Sequence, residues 1–78
     1  MITLTEAHEA LHLAGFSVQI DNDTDGFVEI IASKGGLSET FFDTGSRECH
    51  QYLGCFNSVE RLVAYAEKSI DILKRQSK

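Results

Sequence analysis

Two runs rich in aromatic and β-branched residues, Phe27 to Ser33 and Leu37 to Asp43, meet at Lys34-Gly35-Gly36. Glycine tolerates the positive φ that a tight hairpin between twisted strands needs, so this stretch commits the chain to antiparallel pairing. Upstream, Phe16, Val18 and Ile20 alternate with Ser17 and Gln19, the period of a strand with one buried face. The segment between, Asp21-Asn22-Asp23-Thr24-Asp25-Gly26, is a turn by composition. Three strands joined by short turns predict an antiparallel meander.

The middle run is apolar on both faces, with Val28, Ile30 and Ala32 on one and Phe27 and Ile31 on the other, as suits a central strand. In the third run Leu37 and Phe41 share a face and Phe42 takes the other. Helical periodicity flanks the strands. Leu4, Ala7, Leu11 and Ala14 form a stripe that leaves Leu13 on the far side. Thr3-Leu4-Thr5-Glu6 fits a capping box, and Gly15 fits a left-handed stop. A short helix is expected over Arg47 to Leu53, stopped by Gly54. Asn57-Ser58-Val59-Glu60 opens the longest helix, about Ser58 to Arg75, whose core stripe is Val59, Leu62, Val63, Ala66, Ile70 and Leu73.

The expected fold is therefore α+β, a three-stranded antiparallel meander packed by helices in the order α-β-β-β-α-α. With 78 residues it forms one domain, 1–78, with a marginal core. Helices are expected on one sheet face, leaving the other with an apolar set drawn from Phe27, Ile31, Leu37 and Phe41, or the alternate set. Cys49 and Cys55 are too sparse for a disulfide scaffold and read as reduced. The absence of a basic-then-apolar leader and of a long apolar run gives a cytoplasmic expectation.

Twelve acids face seven bases, a net charge of −5. Lys68, Lys74, Arg75 and Lys78 crowd the C-terminus, where they complement a helix dipole. Residues 1–67 carry eleven acids against Lys34, Arg47 and Arg61, leaving them eight units negative. Such a surface repels phosphate backbones, which argues against direct nucleic-acid binding.

Several strings could carry chemistry. His8-Glu9-Ala10-Leu11-His12, extended by Gly15, resembles the zinc metalloprotease signature H-E-x-x-H-x-x-G. That resemblance implies His8 and His12 as zinc ligands and Glu9 as the base that activates bound water. The metzincin third-ligand position is Val18, and nothing singles out Glu48, Glu60 or Glu67 as a substitute. The wheel places both histidines at the solvent edge of the core stripe, so they read as surface residues. Asp21-x-Asp23-x-Asp25-Gly26 resembles the first half of an EF-hand loop, but Ala32 stands where a bidentate Glu belongs and the flanks are strands, so an acidic hairpin turn explains it. Cys49, His50 and Cys55 lack zinc-site spacing and read as packing residues.

The α-β-β-β-α order resembles the double-stranded-RNA-binding domain. Gly45-Ser46-Arg47-Glu48-Cys49 stands where that family has a lysine cluster, so RNA binding is not expected. Size, charge and architecture resemble small acidic proteins of phages and mobile elements, anti-CRISPR proteins among them. Small size, the lack of a catalytic set, an acidic body and surplus apolar surface predict a non-enzymatic protein-binding module without a cofactor, and the resemblance implies an inhibitor that occludes a basic nucleic-acid-binding partner. Asp21, Asp23, Asp25, Glu29, Glu39 and Asp43 would form its acidic face. Two alternatives stand beside it. One is a homodimeric scaffold or adaptor with Phe27, Ile31, Phe41, Tyr65 and Ile72 in the interface. The other is a zinc-dependent hydrolase built on His8, Glu9 and His12.

Overall fold

The computed structural model describes residues 2–22, 28–42 and 52–76. Helix α1 (Leu4–Leu13) leads into strands β1 (Ser17–Asn22), β2 (Val28–Lys34) and β3 (Leu37–Phe42). A 3-10 turn (Leu53–Cys55) then precedes helix α2 (Val59–Gln76). The strands form one antiparallel sheet in the order β1-β2-β3, so the mixed α+β meander is as expected.

Both ends of α1 are specified locally. The Thr3 hydroxyl accepts from the Glu6 amide at 3.1 Å, and Glu6 Oε1 accepts from the Thr3 amide at 3.1 Å, completing the capping box. At the other end Gly15 takes φ 95°, while the Phe16 amide donates to Leu11 O and the Gly15 amide to His12 O. That pair of bonds is a Schellman motif, and its apolar contact is made by Leu11 and Phe16, both buried. The cap of α2 is Ser58, whose hydroxyl accepts from the Arg61 amide at 3.3 Å, one residue later than the Asn57-to-Glu60 register expected from sequence.

The hairpin between β2 and β3 pairs Lys34 with Leu37 across Gly35 (φ 62°) and Gly36 (φ 81°). Positive φ at both central residues is the requirement of a type I′ turn. This two-residue loop fixes the register Ile30↔Phe41 and Ile31↔Thr40, and β1 adds Val18↔Ala32 and Gln19↔Ile31. Directly paired residues share a face. Ile30, Ala32, Leu37 and Phe41 therefore lie together on one side, and Ile31 on the other.

The helices cover the first side. Ile30, Ala32 and Phe41 are buried against Ala7 and Leu11 of α1 and Leu62, Ala66 and Ile70 of α2, with Ile2, Phe16 and Leu53 closing the edges. Among the described residues Phe41, Leu11, Ile30, Leu53 and Leu62 are the largest side chains fully withdrawn from solvent, each contributing about 1.5–3 kcal/mol. Phe41, Phe56 and Tyr65 meet pairwise edge to face at centroid distances of 5.5–5.8 Å. Lys34, half-buried on the same side, donates from Nζ to Ala14 O at 3.1 Å and sits 4.9 Å above the Phe16 ring. It thus ties the C-terminus of α1 to the sheet.

Two expectations need correction. The open face is mostly polar: Ser17, Gln19, Asp21, Glu29, Ser33, Ser38 and Thr40 surround Ile31 and Phe42. Neither apolar set expected from sequence stays together: the two-residue turn puts Leu37 and Phe41 on the covered side with Ile30 and Ala32, and Phe42 on the open side with Ile31. Gly54 does not end a helix at Leu53; both belong to the 3-10 turn. Tyr52, just before it, bridges to Phe42 in parallel. The rest of that expected helix lies outside the described residues.

Candidate functional site

Two regions carry the residues singled out by sequence, and a third emerges only from the fold. The first is the outer side of α1. His8 and His12 are exposed, with ring centroids 6.4 Å apart and planes 20° from parallel. Helical spacing stacks them, as expected for residues four apart. Among the described residues no group of three or more His, Cys, Asp or Glu is placed to hold a metal ion. Glu9 lies instead beside Leu13 on the flank of α1 that faces α2.

The second region is the acidic end of the sheet. Asp21 and Glu29 are direct cross-strand partners on the open face. Glu39 pairs with Ala32 and so lies on the helix side, half-buried, with Oε1 accepting from the Thr40 amide at 3.2 Å. The six acidic residues are therefore divided: Asp21 and Glu29 stand together, Glu39 stands across the sheet, and Asp23, Asp25 and Asp43 lie outside the described residues. The five apolar candidates are divided too. Phe41 is fully buried, and Tyr65 packs on it, half-buried. Ile31 is half-buried on the open face, Ile72 is exposed on α2, and Phe27 lies outside the described residues. They do not make one surface. Cys55 is exposed, and Cys49 lies outside the described residues.

The third region was not singled out from sequence. A shallow, open groove made of two adjoining depressions lies between α1 and the first turns of α2, lined on its apolar side by Ala10, Ala14, Val59 and Val63 with Leu13 projecting beside them. Glu6, Glu9 and Glu60 also line it, and among the described residues no lining residue is basic. Leu13 is 78% exposed, the most exposed large apolar side chain among the described residues. The signal was present in the sequence: Leu13 falls off the core stripe with Glu6 and Glu9 on its own flank. Glu6 is held below the usual carboxylate pKa, first by its hydrogen bond from the Thr3 backbone and then by that from the Thr3 side chain. It therefore keeps its charge at the groove's edge into mild acid.

No family model, no curated protein and no solved structure matches the chain. No helix among the described residues is long and apolar enough to cross a membrane.

Proposed function

We propose that this chain is a non-enzymatic protein-binding module of the cytoplasm. In this reading its acidic surface occupies the nucleic-acid-binding face of a basic partner, in the manner of an inhibitor from a phage or mobile element. The observation that carries the reading is Asp21 set directly opposite Glu29 on the open sheet face. Like charges at a cross-strand pair cost stability, so the arrangement is unfavourable for folding alone. It makes sense where a cationic surface arrives to neutralise it. The net charge of −5 adds long-range attraction to such a partner and repulsion from nucleic acid itself.

The test is affinity capture from host-cell extract with the wild type and with an Asp21→Lys/Glu29→Lys variant. The wild type should retain a basic nucleic-acid-binding protein, DNA or RNA should displace it, and the variant should lose it. Equal retention by the variant would sink the reading.

A further inference from the structure

The two helices leave two large apolar side chains in solvent, Leu13 at 78% and Ile72 at 42% exposure. They stand in opposite electrostatic settings. Leu13 lies in the groove rimmed by Glu6, Glu9 and Glu60. Ile72 lies on the outer flank of α2. At 3.6 residues per turn, Arg61, Lys68, Ile72 and Arg75 fall within about 60° of one another around that helix. All four are exposed, and Ala64, also exposed, adds a small apolar surface beside them. Asp71 is the acid nearest this stripe; it pairs with Arg75 at 3.0 Å in a solvent-exposed contact of little energy. The groove-lining Val59 and Val63 point to roughly the opposite side of α2.

We infer that the groove of one copy receives the outer flank of α2 from a second copy, so that molecules associate head to tail. The match is one of charge and shape. An apolar trough with a carboxylate rim meets an exposed helix that carries an isoleucine among three bases, the helix-in-groove mode of recognition. Ala10 and Ala14 keep the trough shallow enough for a helix to lie close. Groove-to-groove pairing would instead oppose three carboxylates to their own duplicates, which charge repulsion disfavours. Because donor and acceptor surfaces lie on opposite flanks of α2, the contact is heterologous, and it propagates unless the rotation closes a ring. This inference is independent of the acidic sheet face, since neither surface includes Asp21 or Glu29.

Sedimentation velocity tests it on the whole chain. The wild type should sediment faster as its concentration rises from about 10 μM to about 1 mM, the range that brackets weak contacts, and the increase should vanish in high salt. Leu13→Asp should abolish it from the groove side, and Lys68→Glu/Ile72→Asp from the helix side. Both variants change exposed residues, so circular dichroism should show each folded like the wild type. Mixing the two variants should then yield a one-to-one dimer that grows no further, because one retains only the helix surface and the other only the groove. A wild type that stays monomeric throughout, association that survives either variant, or a mixture that remains monomeric would each overturn the inference. None of these outcomes bears on partner capture through Asp21 and Glu29.

Discussion

Glu6 does two jobs with one carboxylate. It accepts from the Thr3 amide and Thr3 hydroxyl, closing the first turn of α1, and it forms part of the groove's rim. Its folded pKa lies below 4.5, so the bonded, charged form stabilises the fold at every pH above the unfolded value. That contribution is lost as pH falls from about 4.5 through the lower folded pKa. A Glu6→Gln variant, whose acceptor does not titrate, should be less stable than the wild type at pH 6, and the gap should close in acid. Urea titrations at pH 6 and pH 3 measure it; a gap that stays constant would mean that charge at this cap contributes nothing. Removing the other half of the box, Thr3→Ala, should cost about 1 kcal/mol at neutral pH.

At the scale of elements, the turn chemistry did most to decide the fold, and it also marks where sequence reading stopped. The Gly35-Gly36 pair identified a hairpin, but the face assignment needed the loop length. With two loop residues Lys34 pairs with Leu37, which carries Phe41 opposite Ile30 and into the core. A three-residue loop would shift the parity and send Phe41 to the open face beside Ile31, where an interface role for both is expected from sequence. The ends of α1 were legible because caps are local: Thr3, Glu6 and Gly15 act within one turn of themselves. The groove was not, because it forms only when α1 and α2 come together, and no local pattern joins Leu13 to Val59. Lys34 shows the same limit. Read as a turn residue, it reaches Ala14 O across the end of the sheet. The hairpin itself makes a sharp prediction. Asparagine tolerates the left-handed backbone of Gly35, and a Cβ there would meet Lys74 only at ordinary van der Waals distance. Gly35→Asn should therefore be tolerated better than Gly35→Ala, although any side chain at φ 62° carries some strain. Gly36→Val should lower stability, since a β-branched residue resists φ 81°. Thermal melts of the three variants rank the effects, and a Gly35→Asn variant no more stable than Gly35→Ala would contradict the type I′ assignment.

Across the whole molecule, charge is sorted by end. Lys34 reaches Ala14 O at the C-cap of α1, and Lys74 lies against Gly35, so both helices run toward the Gly35-Gly36 hairpin. Lys34, Lys74 and Arg75 gather at that end, where the helix dipoles are negative. Glu6 and Glu60, in the first turns, lie toward the opposite end, as does the Asp21–Glu29 pair. Helix dipoles favour both placements, but the open-face pair gains nothing from them. With twelve acids against seven bases, repulsion at the carboxylate end should outweigh attraction elsewhere. Screening relieves such repulsion: the Debye length falls from about 30 Å at 0.01 M salt to about 10 Å at 0.1 M. The melting temperature should therefore rise by a few degrees between 10 mM and 0.5 M sodium chloride, on the scale of about 4–8 °C per kcal/mol for a domain this small. Glu29→Lys turns the cross-strand pair from repulsive to attractive. It should be more stable than the wild type by about 0.2–1 kcal/mol at low salt and show a smaller rise. A wild-type melting temperature that falls with salt would mean that attractive pairs govern the fold, and the case for the acidic end as a surface held at a cost to stability would fail with it.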